Sequence, residues 1–188
     1  GEVDACLAEH GRRPAELLAD LGVLDRRFVA VHATCLAPHE ARLLGEAGAM
    51  VCACPSTERD LGDGLADLGA LRAAGVRLCT GIDSHIVTDP VEEMRALETH
   101  ERLRLRRRVT FVPEVQRTPA EQLVLEASVY GAQACGWDAA VEGDRTTWTP
   151  RTEVDLTHPT LAGVAADEAL DAFVFSGHPG CVVRAVGA

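Results

Sequence analysis

The most informative pattern along this chain is a series of short apolar runs that each stop at polar residues. The runs are Phe28 to Val31, Met50 to Cys54 and Val76 to Ile82. Continuous apolar runs are typical of strands covered on both faces of a parallel sheet. The segments between them are long enough to hold helices, as consecutive βα units require. The pattern therefore predicts an α/β fold in which three successive strands are each followed by a helix.

Helix-starting signals fill the segments around these runs. Proline suits the first turn of a helix, aspartate caps it, and Thr118-Pro119-Ala120-Glu121 has the form of a capping box. Glycine marks several of the helix ends. Helices are expected over 2–10, from Pro14, from Pro38, over 65–74, from Pro90 to about Arg104, and from Pro119 to about Ala134.

Two regions depart from this alternation. Ser56 to Gly64 is polar and carries glycines, which predicts an elaborate loop. After Gly136 the chain becomes more polar and β-prone. Short strands are expected within Thr146 to Thr157, Leu170 to Phe175 and Val182 to Val186. We therefore expect a main domain over 1–136 and a small, partial β-rich domain over 137–188.

Composition and charge narrow the classes of function. The chain has 188 residues, of which 47% are hydrophobic and 25% charged, as expected of a soluble globular protein. Its net charge of −11 disfavours nucleic acid or an anionic membrane as the main partner. No apolar run approaches the length of a membrane span. A small-molecule substrate remains compatible with this charge.

The cysteines indicate a reducing compartment. There are seven, an odd number without regular spacing, so we expect free thiols and a cytoplasmic location rather than a disulfide framework. Cys52 and Cys54 alternate along a predicted strand, so their side chains should face opposite ways and make a poor metal pair.

Two candidate catalytic residues follow the predicted strands. His32 comes after the first strand, and Asp83 comes after the third. The ends of parallel strands meet at one edge of the sheet, so these side chains can reach a common pocket. A carboxylate and an imidazole around a metal-bound water would serve a hydrolysis. His32 could instead be a packed, hydrogen-bonded histidine, and Ser84 and His85 could either orient Asp83 or face solvent.

Other polar features are interpreted as structural. Gly62-Asp63-Gly64 lacks the setting of a phosphate-binding loop, and the chain has no Gly-x-Ser-x-Gly motif. The basic cluster Arg102 to Arg108 is best interpreted as a solvated helix end. The remaining histidines are expected at the surface: His10, His39, His100, His158 and His178.

Three motifs taken together resemble the amidohydrolase superfamily. They are Val31-His32-Ala33-Thr34, then Cys54-Pro55-Ser56-Thr57-Glu58 with Leu61-Gly62-Asp63-Gly64, then Gly81-Ile82-Asp83-Ser84-His85. The resemblance covers about residues 1 to 135. It implies that the three strands are strands six, seven and eight of a metal-dependent (β/α)₈ barrel, followed by a partial β-sandwich tail.

Within the superfamily, the similarity is greatest to deiminases that act on N-formimidoyl-L-glutamate in histidine degradation. It is carried by Ser56-Thr57-Glu58, by Asp83-Ser84-His85, by Glu92-Glu93 and by the arginines of Arg102 to Arg108. The resemblance implies hydrolysis of that compound to N-formyl-L-glutamate and ammonia.

The same resemblance assigns roles to the two candidate residues. Asp83 would be a zinc ligand and proton shuttle, and His32 would steady the hydrolytic water. One zinc ion per site is implied, with the other ligands coming from strands one and five. Those strands are expected outside these residues, so we expect the chain to be the C-terminal portion of a longer protein and inactive alone.

Two alternatives stay open at this point. The protein could be another deaminase of the superfamily that acts on an aminopurine or a cyclic amidine. It could also be a non-catalytic fragment that depends on a partner to fold. A homodimer of the full-length protein is left open by the resemblance.

Overall fold

A computed structural model of the chain describes residues 1–110, 118–137, 141–142, 145–146 and 151–186. Within these residues the α-helices are α1 (Glu2–His10), α2 (Pro14–Asp20), α3 (Pro38–Glu46), α4 (Pro55–Leu61), α5 (Leu68–Ala73), α6 (Pro90–Leu105), α7 (Pro119–Leu125), α8 (Gly131–Ala134) and α9 (Ala169–Ser176). The strands are β1 (Val29–Val31), β2 (Met50–Ala53), β3 (Arg77–Thr80), β4 (Val141–Glu142), β5 (Arg145–Thr146), β6 (Arg151–Val154) and β7 (Val182–Val186). A π-helical turn (Glu126–Tyr130) joins α7 to α8, and 3₁₀ turns span Ala166–Glu168 and Pro179–Cys181.

The sheet that carries the candidate residues has the order β1-β2-β3, and both pairs are parallel. Val29 pairs with Met50, and Cys52 pairs with Cys79. The three apolar runs therefore form consecutive parallel strands with helices between them, as the sequence predicted. Their carboxyl ends lie at one edge of the sheet.

The strands differ in how completely they are covered. Met50, Val51 and Ala53 of the central strand are at most 2% exposed, as a strand covered on both faces should be. Val31 of β1 is 54% exposed, so the expected two-sided cover is wrong at that position. A missing strand neighbour is not the reason, because β3 is also an edge strand and its Leu78 and Cys79 are 1% exposed; the described residues leave the face at Val31 uncovered.

One hydrophobic cluster joins the sheet to the helices. Val51 and Leu78 supply the sheet side, and the helices pack apolar side chains against them. The buried helical leucines of this cluster are Leu44 of α3, Leu68 and Leu71 of α5, Leu97 of α6 and Leu123 of α7. Removal of this apolar surface from water is the main driving force for the fold.

The helix caps form where the sequence predicted them. The Asp89 carboxylate accepts from the Val91 amide at 2.9 Å and starts α6. Thr118 and Glu121 form a reciprocal capping box at α7. The expected helix to Ala134 is present but contains the π turn. No helix among the described residues combines the length and apolar character needed to cross a membrane.

The segment expected to be a loop from Ser56 to Gly64 is largely helical. Its first part belongs to α4, and Ser56, Thr57 and Glu58 are at most 3% exposed. Pro55 occupies the first turn, and the amide of Ser56 donates to the buried Glu93 carboxylate at 3.1 Å. Capping by a residue distant in sequence therefore stabilises a helix that the local polar pattern concealed.

The expectation of a strand over Leu170 to Phe175 is wrong, because this segment lies in α9. A short apolar run does not distinguish a buried strand from a buried helix. Arg95 of α6 donates to the carbonyl oxygens of Val174 and Gly177, each at 2.8 Å, and so holds the end of α9 against α6.

The two other strand predictions for the tail agree with the described residues. Val182 to Val186 is β7, which pairs antiparallel with β6. Within Thr146 to Thr157 the structure forms β6, while residues 147–150 lie outside the described part of the chain. The division at residue 136 into two domains stays a prediction.

Candidate active site

His32 and Asp83 meet at the carboxyl edge of the sheet. Nε2 of His32 lies 3.5 Å from an Oδ atom of Asp83. The His32 side chain is 32% exposed and that of Asp83 is 43% exposed, so both are open to small molecules. The structure thus brings together the two residues that the sequence selected.

The backbone at both residues is in the left-handed region. His32 has φ 66° and Asp83 has φ 56°, and Ala33, which follows His32, has φ 57°. Such angles are uncommon outside glycine and cost about 1 to 3 kcal/mol each, so the surrounding structure must impose them. Backbone of this kind clusters at functional sites, which supports a function for these strand ends.

Glu58 is a third member of this cluster. Its Oε1 accepts from the backbone amide of Cys54 at 2.8 Å and lies 3.3 Å from Nδ1 of His32. Burial raises the pKa of Glu58, although the hydrogen bonds from the Cys54 amide and His32 act in the opposite direction. The sequence pattern predicts a loop at Glu58. The local helix-start signals are Pro55 at the first helical position and the acidic Glu58 in the first turn, which together could have identified a helix here.

Thr57 holds the loop that carries Asp83. Its hydroxyl donates to the carbonyl oxygen of Ile82 at 3.2 Å and accepts from the backbone amide of Ser84 at 3.2 Å. The hydroxyl of Ser84 lies 3.0 Å from the same oxygen. Ser84 therefore acts on the loop through Thr57, while His85 is exposed.

The prediction that Cys52 and Cys54 face opposite ways is wrong. A Cβ atom at Gly81 would lie 3.1 Å from Sγ of Cys52 and 3.3 Å from Sγ of Cys54, so the two thiols converge there. Cys54 follows the last residue of β2 and has ψ 69°, so strand alternation no longer applies to it. The pKa of the Cys54 thiol is raised, mainly by its hydrogen bond with Cys52 and secondly by burial.

The site offers donors of the kinds that zinc takes. A ring nitrogen of His32, Sγ of Cys54 and a carboxylate oxygen of Asp83 lie within 4.8 Å of one another. Imidazole, thiolate and carboxylate are all zinc ligands. The partly exposed His32 and the exposed Asp83 suit a catalytic metal with an open position. The buried Cys54, whose thiol pKa is raised, suits it less.

Two polar features of α6 refine the sequence interpretation. His100 is half-buried rather than at the surface, since it lines a cavity of about 10 Å³ together with Glu58. Burial lowers the pKa of His100. At the end of α6, Arg102 and Arg104 are paired with the buried carboxylates of Glu98 and Glu101 at 2.7 and 2.6 Å, which favours a structural role for these arginines.

The chain belongs to the amidohydrolase family, because the model of that family matches residues 1–142. The parallel strands and the polar residues at their carboxyl edge agree with this class of protein. The formimidoylglutamate deiminase of Pseudomonas aeruginosa is 36% identical over 178 residues, which cover 94% of this chain and 39% of that protein. A 5-methylthioadenosine/S-adenosylhomocysteine deaminase of Halobacterium salinarum is 33% identical over 141 residues, which cover 73% of this chain and 31% of that protein.

A solved structure shows the same fold. An adenosine deaminase from Xanthomonas campestris with bound zinc superposes with a TM-score of 0.81 at 24% sequence identity. The match covers 99% of this chain and 41% of that one. The chain therefore spans about a third to two fifths of the length of these relatives.

Proposed function

We propose that this chain supplies strands six to eight of the barrel of a zinc-dependent hydrolytic deiminase. Its substrate would be N-formimidoyl-L-glutamate, and its products N-formyl-L-glutamate and ammonia. The observation that carries the proposal is the convergence of His32 and Asp83 at one sheet edge, 3.5 Å apart. The substrate is supported by the 36% identity to a formimidoylglutamate deiminase over 94% of the chain.

The two residues divide the chemistry between them. Zinc, held by Asp83 and by ligands from other strands, would supply a Lewis acid. Asp83 carries both protons of the attacking water in turn to the departing nitrogen, one as the oxygen adds to the carbon and one as the carbon–nitrogen bond breaks, so that the carbonyl group forms and the nitrogen leaves as ammonia. His32 presents Nε2 to the attacking oxygen and steadies it against the formimidoyl carbon. Proton transfer by positioned groups of this kind contributes about 10²- to 10⁴-fold to a rate.

The test is a substitution of Asp83 in a protein with a complete barrel. A chimera in which this chain replaces the matching segment of the Pseudomonas aeruginosa deiminase provides that barrel. We expect this chimera to release ammonia from N-formimidoyl-L-glutamate. The substitution Asp83→Asn should lower its kcat by at least about 100-fold. Asp167→Asn, at an exposed carboxylate of the tail, is the matched control. Activity retained in a folded, zinc-loaded Asp83→Asn chimera would refute the assignment.

A second candidate is a deaminase of aminopurines. It is favoured by the 33% identity to the Halobacterium salinarum enzyme over 141 residues. A substrate panel on the same chimera and on an unmodified parent discriminates between the two. A higher kcat/KM for 5-methylthioadenosine than for N-formimidoyl-L-glutamate would favour this candidate.

A third possibility is that the chain alone is a non-catalytic, partner-dependent piece. Of the three candidate donors, Cys54 is the least suited because it is buried with a raised thiol pKa, and His32 and Asp83 are two donors where catalytic zinc takes three from the protein. Titration of the isolated chain with zinc addresses this point. Weak binding is expected, and tight stoichiometric binding would contradict the fragment proposal.

We also infer a cytoplasmic location and the two-domain division at residue 136. The location is supported by the free state of all seven cysteines, which is typical of a reducing compartment.

The exposed edge strand β1 gives the rest of a barrel, or another copy, a place to pair. Sedimentation of the full-length protein would test for a homodimer.

A further inference from the structure

We propose that Glu58 is a positioning residue that holds His32 as the Nδ1–H tautomer and so leaves Nε2 unprotonated toward Asp83. The consequence for catalysis rests on the proposed function. The tautomer itself rests only on the hydrogen bonds of the described residues. It can therefore be tested without any substrate.

The first step is the occupancy of Oε1 of Glu58. This oxygen accepts from the Cys54 amide at 2.8 Å, and it is the same atom that lies 3.3 Å from Nδ1 of His32. A backbone amide can only donate, so Oε1 is an acceptor. An ionised carboxylate oxygen has no proton to give, so with Glu58 ionised Nδ1 of His32 is the donor. In a protonated carboxyl group the carbonyl oxygen is the better acceptor, so the bond from the Cys54 amide to Oε1 favours the proton on the other oxygen and again leaves Nδ1 as the donor.

The second step is the direction of the other ring nitrogen. In neutral imidazole one nitrogen is protonated and the other bears a lone pair. With the proton on Nδ1, the lone pair of Nε2 points to the side on which Asp83 lies at 3.5 Å. A lone pair facing a carboxylate needs a proton donor or a cation between them. Nε2 is thereby prepared to accept a hydrogen bond from the attacking water.

The third step is that capping the start of α4 does not by itself require a glutamate at position 58. The Cys54 amide could be satisfied by a neutral amide side chain at position 58. Glu58 is only 3% exposed, and burial of its carboxyl group is unfavourable enough to raise its pKa. Glu93 offers the structural comparison, since it is also buried and also accepts from an amide of α4, that of Ser56.

Substitutions at position 58 distinguish the effect of the hydrogen-bond acceptor from the effect of the carboxylate charge. Glu58→Gln keeps a carbonyl oxygen that can accept from both the Cys54 amide and Nδ1. Glu58→Met fills a similar volume without an acceptor. Glu93→Gln makes the same chemical change at a buried residue of α6 that accepts from the Ser56 amide of α4, without altering the partner of His32.

The experiment is ¹⁵N–¹H correlation of the imidazole rings in the labelled chain, recorded over a pH series and interpreted where the ring ¹⁵N shifts themselves report a neutral imidazole. The His32 signals are assigned by their loss in His32→Asn. We expect Nδ1–H in the wild type, in Glu58→Gln and in Glu93→Gln, and a shift to the Nε2–H form in Glu58→Met. A wild-type Nε2–H ring would overturn the proposal, even if Glu58→Met does not fold. An unchanged Nδ1–H ring in folded Glu58→Met would also overturn it.

The active chimera supplies a second readout. Glu58→Met should lower kcat by about 10- to 100-fold with little change in KM, and Glu58→Gln should restore most of it. If the tautomer is as proposed and no variant deaminates N-formimidoyl-L-glutamate, the proposed function fails and the positioning role stands. If the chimera is active but Glu58→Met leaves both the tautomer and kcat unchanged, the positioning role fails alone.

Discussion

Burial raises the pKa of Glu58 above its ordinary value of 4.5, ahead of the opposing hydrogen bonds from the Cys54 amide and His32. In the unfolded chain this carboxyl group loses its proton at about the ordinary pKa, whereas the folded chain retains the proton to higher pH. The folded state then binds more protons, so the free energy of unfolding falls as the pH rises above 4.5 and through the folded pKa. Glu58 therefore reduces stability at neutral pH.

The corresponding prediction concerns Glu58→Gln. The variant lacks the titrating group, so its advantage in unfolding free energy over the wild type should grow as the pH rises from about 4.5. Urea unfolding at a series of pH values measures this difference. A variant that loses stability equally at every pH would contradict the raised pKa. A stabilised variant would show that the buried charge at position 58 is retained for function rather than for folding.

For single residues, the sequence is sufficient to predict the site residues that follow the strands. It is not sufficient to predict the residues that hold those site residues in place. His32 and Asp83 could be predicted because parallel strands deliver their last residues to a common edge. Glu58 and Thr57 could not, because their roles depend on hydrogen bonds to residues 25 or 26 positions away. No local pattern of polarity records such partners.

Among the helices, α3 and α5 approach so closely that one glycine becomes essential. A Cβ atom at Gly45 would collide with the carbonyl group of Ala74, whose carbon atom would lie only 2.8 Å away. Because the obstacle is backbone, it cannot move aside as a flexible side chain could.

We therefore expect Gly45→Ala to destabilise the chain by more than about 1 kcal/mol, the usual range for overpacking. Gly131→Ala is the matched control, since its added Cβ would meet nothing nearer than a carbonyl oxygen at 3.9 Å. That variant should keep or raise stability, because alanine is the better helix former. Denaturant midpoints measure both changes, and equal midpoints for the two variants would refute the close contact of the helices.

The element predictions succeeded where signals were local and failed where packing decided. Caps at Asp89 and Thr118 are encoded within four residues, and both helices begin there. The sequence pattern predicts a strand where α9 lies, because the apolar run is too short to show a period. Its helical state follows from its place against α6, which the run itself does not encode.

For the whole molecule, α9 is the link between the tail and the main core. Val174 is fully buried in the cluster that also contains Val51 of the central strand. The guanidinium of Arg102 lies 4.9 Å from the ring of Phe175, which adds a cation–π contact. A division of the chain at residue 136 therefore does not divide the hydrophobic core at the same point.

Two valine substitutions test whether the tail and the main core unfold together. Val174 is 0% exposed and packs in the shared cluster, whereas Val183 of β7 is 68% exposed. Val174→Ala should lower the free energy of unfolding by about 1 to 3 kcal/mol, and Val183→Ala should hardly change it. If α9 belongs to the main cooperative unit, hydrogen-exchange protection of the Val51 amide should fall by the same amount in Val174→Ala. If Val51 keeps its full protection while residues of α9 lose theirs, the tail is a separate unit, and the division at residue 136 describes stability as well as sequence.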